Sequence, residues 1–370
     1  MRRRPQVPLQ ALAPVAAVAL ALLAGAVLIA AVGQSPIEVY GMLAQQALGT
    51  GYGVGQTLFK CTPLLFAGLS VALAFRAGLF NVGAEGQMYL GGFAAGLVGA
   101  YVPLHGPLLL PAALLAAALA GALWASVAGV LKARFGAHEV INTIMLNFIA
   151  FALVSWWGQG LFMRATVRTR EVAEAAHIAR LEVLLPWLRG SPANFSLLMG
   201  VLLAVALGVF LFRTRAGYEL RVLGLNPGAA EYAGVKIGRA QVMAFALSGA
   251  LAGLGGTSFV LGYKHWFEQD FTAGAGFMGI AVALIGRNHP LGVCLSALFF
   301  GALAYGGLVV NQRVPADLVN VLRALVILFA ISAYALFDRA ARRARPKPAT
   351  APAKPGEAPP GEAPPGEASA

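Results

Sequence analysis

Runs of about 20 apolar residues recur along this chain, from near position 9 to near position 337. Wound as a helix at 1.5 Å per residue, such a run crosses the ~30 Å hydrocarbon core of a bilayer. Composition agrees: 59% of the residues are hydrophobic and 11% are charged, where a soluble domain carries about 25% charged residues. The fold class that follows is an all-α polytopic membrane protein. No polar stretch has the length to supply an aqueous catalytic domain.

Counting the runs gives about ten spans, over residues 9–32, 57–75, 87–103, 108–131, 139–161, 195–212, 241–261, 276–285, 291–310 and 316–337. The 276–285 run is short for a span. The glycine-rich stretch 34–56 has room for a short interfacial helix over 37–47. Basic residues collect on cytoplasmic ends, and Arg76, Lys132, Arg134, Arg213, Arg239, Arg287 and Arg339 then put both termini inside. The run 9–32 is longer than a signal-peptide core and more spans follow it, which reads as an uncleaved anchor. One segment disagrees. Residues 162–192 carry Arg164, Arg168, Arg170, Arg180 and Arg189 yet fall outside by the count.

The layout is a basic amino end (1–8), a transmembrane domain (9–338) with a cytoplasmic loop at 213–240, and a tail (339–370). The tail is basic and then repeats Pro-Pro-Gly-Glu-Ala, a composition that cannot bury a core. The net charge of +12 lies mostly beside the spans, where it meets lipid headgroups rather than nucleic acid. The five histidines are scattered without metal-ligand spacing. Cys61 and Cys294 sit in apolar runs and read as small buried hydrophobes. No catalytic or metal-binding constellation emerges.

The apolar pattern breaks most sharply over 74–89, where Arg76, Asn81, Glu85 and Gln87 alternate with Gly78, Gly83 and Gly86. Ionisable groups at membrane depth cost a few kcal/mol or more. Glycines let the backbone leave the helix, which a membrane protein tolerates only where protein or a cavity satisfies the freed groups. The stretch is therefore either a discontinuous element of a transport path or a cytoplasmic turn with Glu85 in the next first turn. Glu139, Asn142, Thr143 and Asn147 form a second polar group, with Thr143 and Asn147 on one helix face. They either glue helices together or line a path. Gly92 with Gly96, and Gly249 with Gly253, permit close helix approach as bundle packing. Trp156 and Trp157 read as interfacial anchors. Arg323, with Asp317 and Asn320, either snorkels or pairs in the last span.

The loop 213–240 carries its own short helix. Asn226 can cap the free amides, Pro227 suits the first helical position, and Gly234 can take the left-handed closing conformation. A short helix stopped at both ends and held outside the membrane is either a connector or a docking knob.

Phe80-Asn-Val-Gly-Ala-Glu-Gly-Gln87 resembles the Phe-Asn-Ile-Gly-Ala-Glu-Gly-Gln signature of permease subunits of ABC importers for nucleosides and simple sugars, the purine-nucleoside type above all. The resemblance continues through residues 139–147, 224–234 and 280–288, in order, and spans most of 57–336. It departs at Val82, where isoleucine is common, and at His138, where Asn often precedes the glutamate. It implies a bacterial inner-membrane protein working with a cytoplasmic ABC ATPase, a second permease and an extracytoplasmic substrate-binding lipoprotein. It also implies a coupling helix inserted into a cleft of the ATPase, with Gly224, Asn226, Pro227, Ala229, Ala230, Tyr232 and Gly234 forming it. Asn81, Glu85, Gln87, Glu139, Asn142, Thr143 and Asn147 are then the candidate translocation path. No lysine precedes Ser or Thr in a phosphate-cradling loop, so ATP and magnesium are expected on the partner and no cofactor on this chain.

The implied function is passage of a nucleoside or related small polar solute into the cytoplasm by alternating access. A permease for branched-chain amino acids or a pentose would share the architecture. An ion-coupled secondary transporter is a different class, for which Glu85 and Glu139 are the good coupling carboxylates. Gly68-Leu-Ser-Val-Ala-Leu with Arg76 also echoes Gly279-Ile-Ala-Val-Ala-Leu with Arg287. A duplicated architecture is one reading of the echo, and chance in an alanine-rich chain is the other.

Overall fold

The computed structural model describes residues 13–104, 106–163 and 166–311, with a few single positions between 315 and 332. The basic amino end, Arg164, most of the 316–337 run (Asp317 and Arg323 included) and the tail lie outside the described residues.

The described chain is helical, apart from two isolated β-bridges (Arg168 with Glu268, Arg180 with Asn194). Helix α1 (Ala13–Ala31) turns sharply into α2 (Pro36–Leu48), with a bend of 118°. Pro36 takes the first position of α2, where its missing N–H costs nothing, so the short helix expected over 37–47 is present. Helix α3 (Gly51–Arg76) starts where the Thr50 hydroxyl accepts the Gly53 N–H at 3.0 Å. Then follow α4 (Ala84–Tyr101), α5 (Gly106–Phe135) and α6 (Glu139–Gly158). After a stretch of three short 3₁₀ turns come α7 (Ser196–Arg213), α8 (Arg215–Leu225), α9 (Pro227–Tyr232) and α10 (Ile237–Gly255). Helix α10 runs on through α11 (Thr257–Phe259) into a π turn, Val260–Lys264. Helices α12 (Ala275–Ile285) and α13 (Pro290–Val310) complete the set.

Among the described residues six helices are long and apolar enough to cross a membrane, or seven if the bent α1–α2 pair is one span. That is fewer than the ten counted in the sequence. Two of the counted runs take another form. Helix α12 has 11 residues, about 16 Å of rise and half of a bilayer core. Helix α4 follows a non-helical stretch, residues 77–83, and is buried on most sides from Ala84 to Gly99.

Glycine sets the closest packing. Gly249 of α10 lies against the Gly121 carbonyl of α5, and Gly253 lies against the Ala117 carbonyl and Gly91 of α4. A methyl at any of these positions would collide with backbone. Gly249-x-x-x-Gly253 therefore serves packing within the chain. The two echoing segments also meet, with Gly68 of α3 against Val282 and Gly279 of α12 against Ala67. Stripes of exposed apolar side chains, such as Leu115, Leu119 and Leu123 on α5 and Leu202, Val205 and Val209 on α7, face outward, as lipid contact requires.

The basic stretch that disagreed with the span count is a structured cap. Its backbone is tied to the end of the bundle remote from Arg76, with the Ala173 N–H on the Gly99 carbonyl (3.0 Å) and the Ile178 N–H on the Leu261 carbonyl (2.9 Å). The Val172 N–H donates to the His265 carbonyl at 2.7 Å. The rings of His177 and His265 stack at 3.8 Å, and burial, with the charge of His177, holds His265 below the usual imidazole range.

Gly249→Leu should abolish a monodisperse folded peak in detergent size-exclusion chromatography, because overpacking of this kind costs about 1–3 kcal/mol or more. Gly41→Ala, with open space around it, should leave the peak unchanged. Equal behaviour of the two variants would refute backbone contact as the basis of the α5–α10 seam.

Candidate functional site

Helix α3 ends at Arg76, whose Nε donates to the Asn288 carbonyl at 2.8 Å and so ties it to the end of α12. The chain then turns at Gly78 (φ +71°), whose backbone lies directly against Gly224 with room for no side chain on either residue. From there it climbs back into the bundle. Asn81 and Gln87 are buried and pair amide to amide, at 2.8 and 2.9 Å. Asn81 Nδ2 also donates to Ser248 Oγ of α10 (2.8 Å), and Ser248 donates to the Ser70 carbonyl of α3 (2.8 Å).

Asn147 reaches across from α6 and satisfies the broken backbone in both senses. Its Oδ1 accepts the Gly86 N–H at 2.9 Å and its Nδ2 donates to the Val82 carbonyl at 3.0 Å. An irregular segment inside the bundle persists because side chains replace the missing helical hydrogen bonds.

Glu85 is 3% exposed. Its carboxylate accepts the N–H of Gly274 (Oε1, 2.8 Å) and the N–H of Gly276 (Oε2, 2.5 Å). Those are the cap position and the second residue of α12, so the charge sits on the positive end of a helix whose first amides lack partners. Gly274 has φ +82°, and a methyl on Gly276 would strike the Glu85 backbone. The ionisable group in the polar stretch 74–89 is thus held by a helix terminus.

The other expected path residues divide. Thr143 is buried, and its hydroxyl donates to the carbonyls of Glu139 and Val140 in its own helix. Glu139 pairs with Lys132 across the α5–α6 turn at 2.9 Å. Asn142 Nδ2 is buried without a partner among the described residues. Asn81 and Gln87 therefore pair with each other, and Asn147 and Glu85 act on the same break through partners of their own. Among the described residues the side chains of Glu139 and Asn142 bond to none of them. Sequence reasoning missed Ser70, Ser248, Gly274 and Gly276, since no spacing relates positions so far apart in the chain.

At the Arg76 end, Asn226 Oδ1 accepts the Ala229 N–H at 3.2 Å, Pro227 opens α9, and Gly234 closes it at φ +82°. Tyr232 is 98% exposed and Leu225 86% exposed, while Ala230 is fully buried. Ala230 therefore roots the helix in its own bundle, and Tyr232 and Leu225 form the projecting tip. Gly224, one residue before Leu225, is the residue in contact with Gly78. The knob and the broken helix share a joint of bare backbone.

An apolar bundle with a satisfied break at its centre and a stiff knob on one end is the build of a multi-pass transport subunit. Residues 53–331 match the family described as the permease component of a branched-chain amino acid transport system. The chain is similar to the guanosine ABC transporter permease protein NupP of Bacillus subtilis, 37% identical over 88% of this chain and 94% of the relative. It is also similar to the glucose ABC transporter permease protein TsgB13 of Haloferax volcanii (36%, covering 86% of each) and to the nucleoside ABC transporter permease protein NupB of Lactococcus lactis (32%, 86% and 90%). The same Bacillus and Lactococcus strains hold second, less similar permeases named for the same solutes. No solved structure matches. The chain belongs to the ABC importer permease family.

Replacing Glu85 tests the clamp on α12. Hydrogen bonds to a charged group contribute about 1.5–3 kcal/mol each, so solute uptake per membrane-resident copy should fall about tenfold or more in Glu85→Gln. Glu219→Gln removes an exposed i,i+4 pair with Arg215 and should stay within about twofold of wild type. Unchanged uptake in Glu85→Gln would remove the clamp from any account of transport.

Proposed function

We propose that this subunit passes a nucleoside or related small polar solute into the bacterial cytoplasm, driven by an ABC ATPase docked on α9. The observation that carries the proposal is the similarity to NupP along nearly its whole length, together with an exposed, doubly stopped helix. The glucose relative favours a simple sugar as the second reading. The ion-coupled alternative fits less well, because Glu85 is committed to a helix terminus and Glu139 to a lysine.

In this proposal the Arg76 end is cytoplasmic. Lys132 and Arg134 in the last turn of α5, and Arg213, Arg215, Arg221 and Arg239 between the end of α7 and the start of α10, lie in segments that meet there through Ala133 with Gly238 and Gly78 with Gly224, as the positive-inside tendency requires. Residues 166–194 then cap the outer end, where the substrate-binding lipoprotein delivers solute. Both termini are inside on the count of apolar runs in the sequence. A second permease forms the other half of the pore, in keeping with the paired relatives. ATP and magnesium are held by the ATPase.

The geometry supports a mechanical route for alternating access. Displacing α9 moves Gly224, which bears on Gly78 without a side chain to yield. Residues 79–83 follow, then the Asn81–Gln87 pair, and Glu85 carries the shift to the amino end of α12.

Tyr232→Ala checks the docking surface cleanly, because a side chain this exposed adds nothing to the folded subunit. With the complete system expressed, membrane abundance should stay at the wild-type level. ATPase co-purification and guanosine uptake should each drop about tenfold or more, as truncation of an interfacial tyrosine anchor does. Gly234 is a poorer probe, since its left-handed backbone would strain any replacement. Guanosine uptake that continues after deletion of the ATPase gene would defeat the proposal.

A further inference from the structure

We infer that the permease has a solute site of its own, built for a planar aromatic ring system such as a nucleobase, in a cavity apart from the Asn81–Gln87 network. The inference rests on the reading of the chain as a nucleoside permease. The cavity, partly open, has a volume of about 580 Å³ between α3, α13 and the stretch from Ser258 to Ala275, within the range of small-molecule sites, roughly 300–1,000 Å³.

One wall is a run of touching aromatic rings. Phe59 and Tyr263 have centroids 4.9 Å apart, Tyr263 and Phe259 5.8 Å, and Phe259 and Phe271 5.1 Å with planes 23° from parallel. All four line the cavity. A wall of this kind presents aromatic ring surface to a flat solute whatever its substituents.

Polar groups stand on α3. Gln56 and Lys60, one turn apart, both line the cavity, with Lys60 Nζ 5.9 Å from the Phe59 centroid. The Gln56 amide, whose Nε2 donates to the Tyr52 hydroxyl at 2.7 Å and whose oxygen can accept, and the Lys60 ammonium match the mixed donors and acceptors on the edge of a base. No carboxylate is among the described lining residues. The ammonium of an amino acid therefore finds no counter-charge here, and sugar hydroxyls find no carboxylate acceptor.

The backbone of the same wall is irregular. It includes the π turn Val260–Lys264, and after it His265, Asp270 and Ala273 have φ of 62°, 60° and 45°. Such turns and left-handed non-glycine residues concentrate at ligand sites. The wall ends at Gly274, whose N–H is held by Glu85. Cavity shape and broken helix are thus joined through one carboxylate.

The test uses the assembled importer in nanodiscs, photolabelled with 8-azidoguanosine, digested and mapped by mass spectrometry. Adducts are expected within residues 56–63 or 259–273, suppressed by excess guanosine and not by glucose. In cells, Lys60→Gln and Tyr263→Leu should each lower guanosine uptake about tenfold, the scale of one lost base–aromatic contact. Phe148→Leu, exposed on α6, should match wild type. Guanosine uptake with adducts elsewhere, or with both cavity variants at the wild-type rate, overturns the inference and leaves the proposed function standing. Uptake of glucose but not guanosine overturns both.

Discussion

A buried carboxylate resting on the first amides of a short helix is the interaction on which the centre of this protein depends. A carboxylate at 3% exposure needs hydrogen-bond partners, and the α12 terminus could not lie inside the bundle with its amides free. Each liability answers the other. The pairing joins the starts of two helices: Glu85 stands in the first turn of α4, and the 11-residue α12 begins on its carboxylate.

Around this clamp the bundle relies on glycine to bring backbones together. Contacts between Gly78 and Gly224, between Gly121 and Gly249, and between Gly276 and Glu85 leave no space for a methyl. Helices gain no hydrophobic drive from one another in lipid, so close packing and polar cross-links have to hold them. The amide pair of Asn81 and Gln87, with Ser248 and Ser70 behind it, supplies the cross-links. Backbone contacts also transmit displacement with little loss, which suits a subunit worked from one end.

Several features were legible in the sequence because they are local. Asn226, Pro227 and Gly234 act on amides within one or two turns, and each occupies the role its chemistry assigns. The break near Gly83 was visible because polar residues and glycines interrupt an apolar run. Other features depend on distant pairings. Ser248 meets Asn81 across 167 positions and Glu85 meets Gly276 across 191, and neither pairing leaves a periodic trace. Ala230 illustrates the same limit at short range, since its neighbours expose it or bury it according to how α9 leans on the bundle.

The chain by itself determined a helical membrane protein, a polar break in its first third, and a short helix stopped at both ends in a basic loop. Those follow from hydrophobic length, backbone preference and capping, which act between near neighbours. Only the tertiary structure decided that the break is satisfied by Asn147, that Ser248 receives Asn81, that Glu85 holds α12, and that four aromatic rings line a cavity. Those outcomes depend on which helices lie side by side, and a bilayer, equally apolar toward every span, leaves that choice to shape and hydrogen bonding.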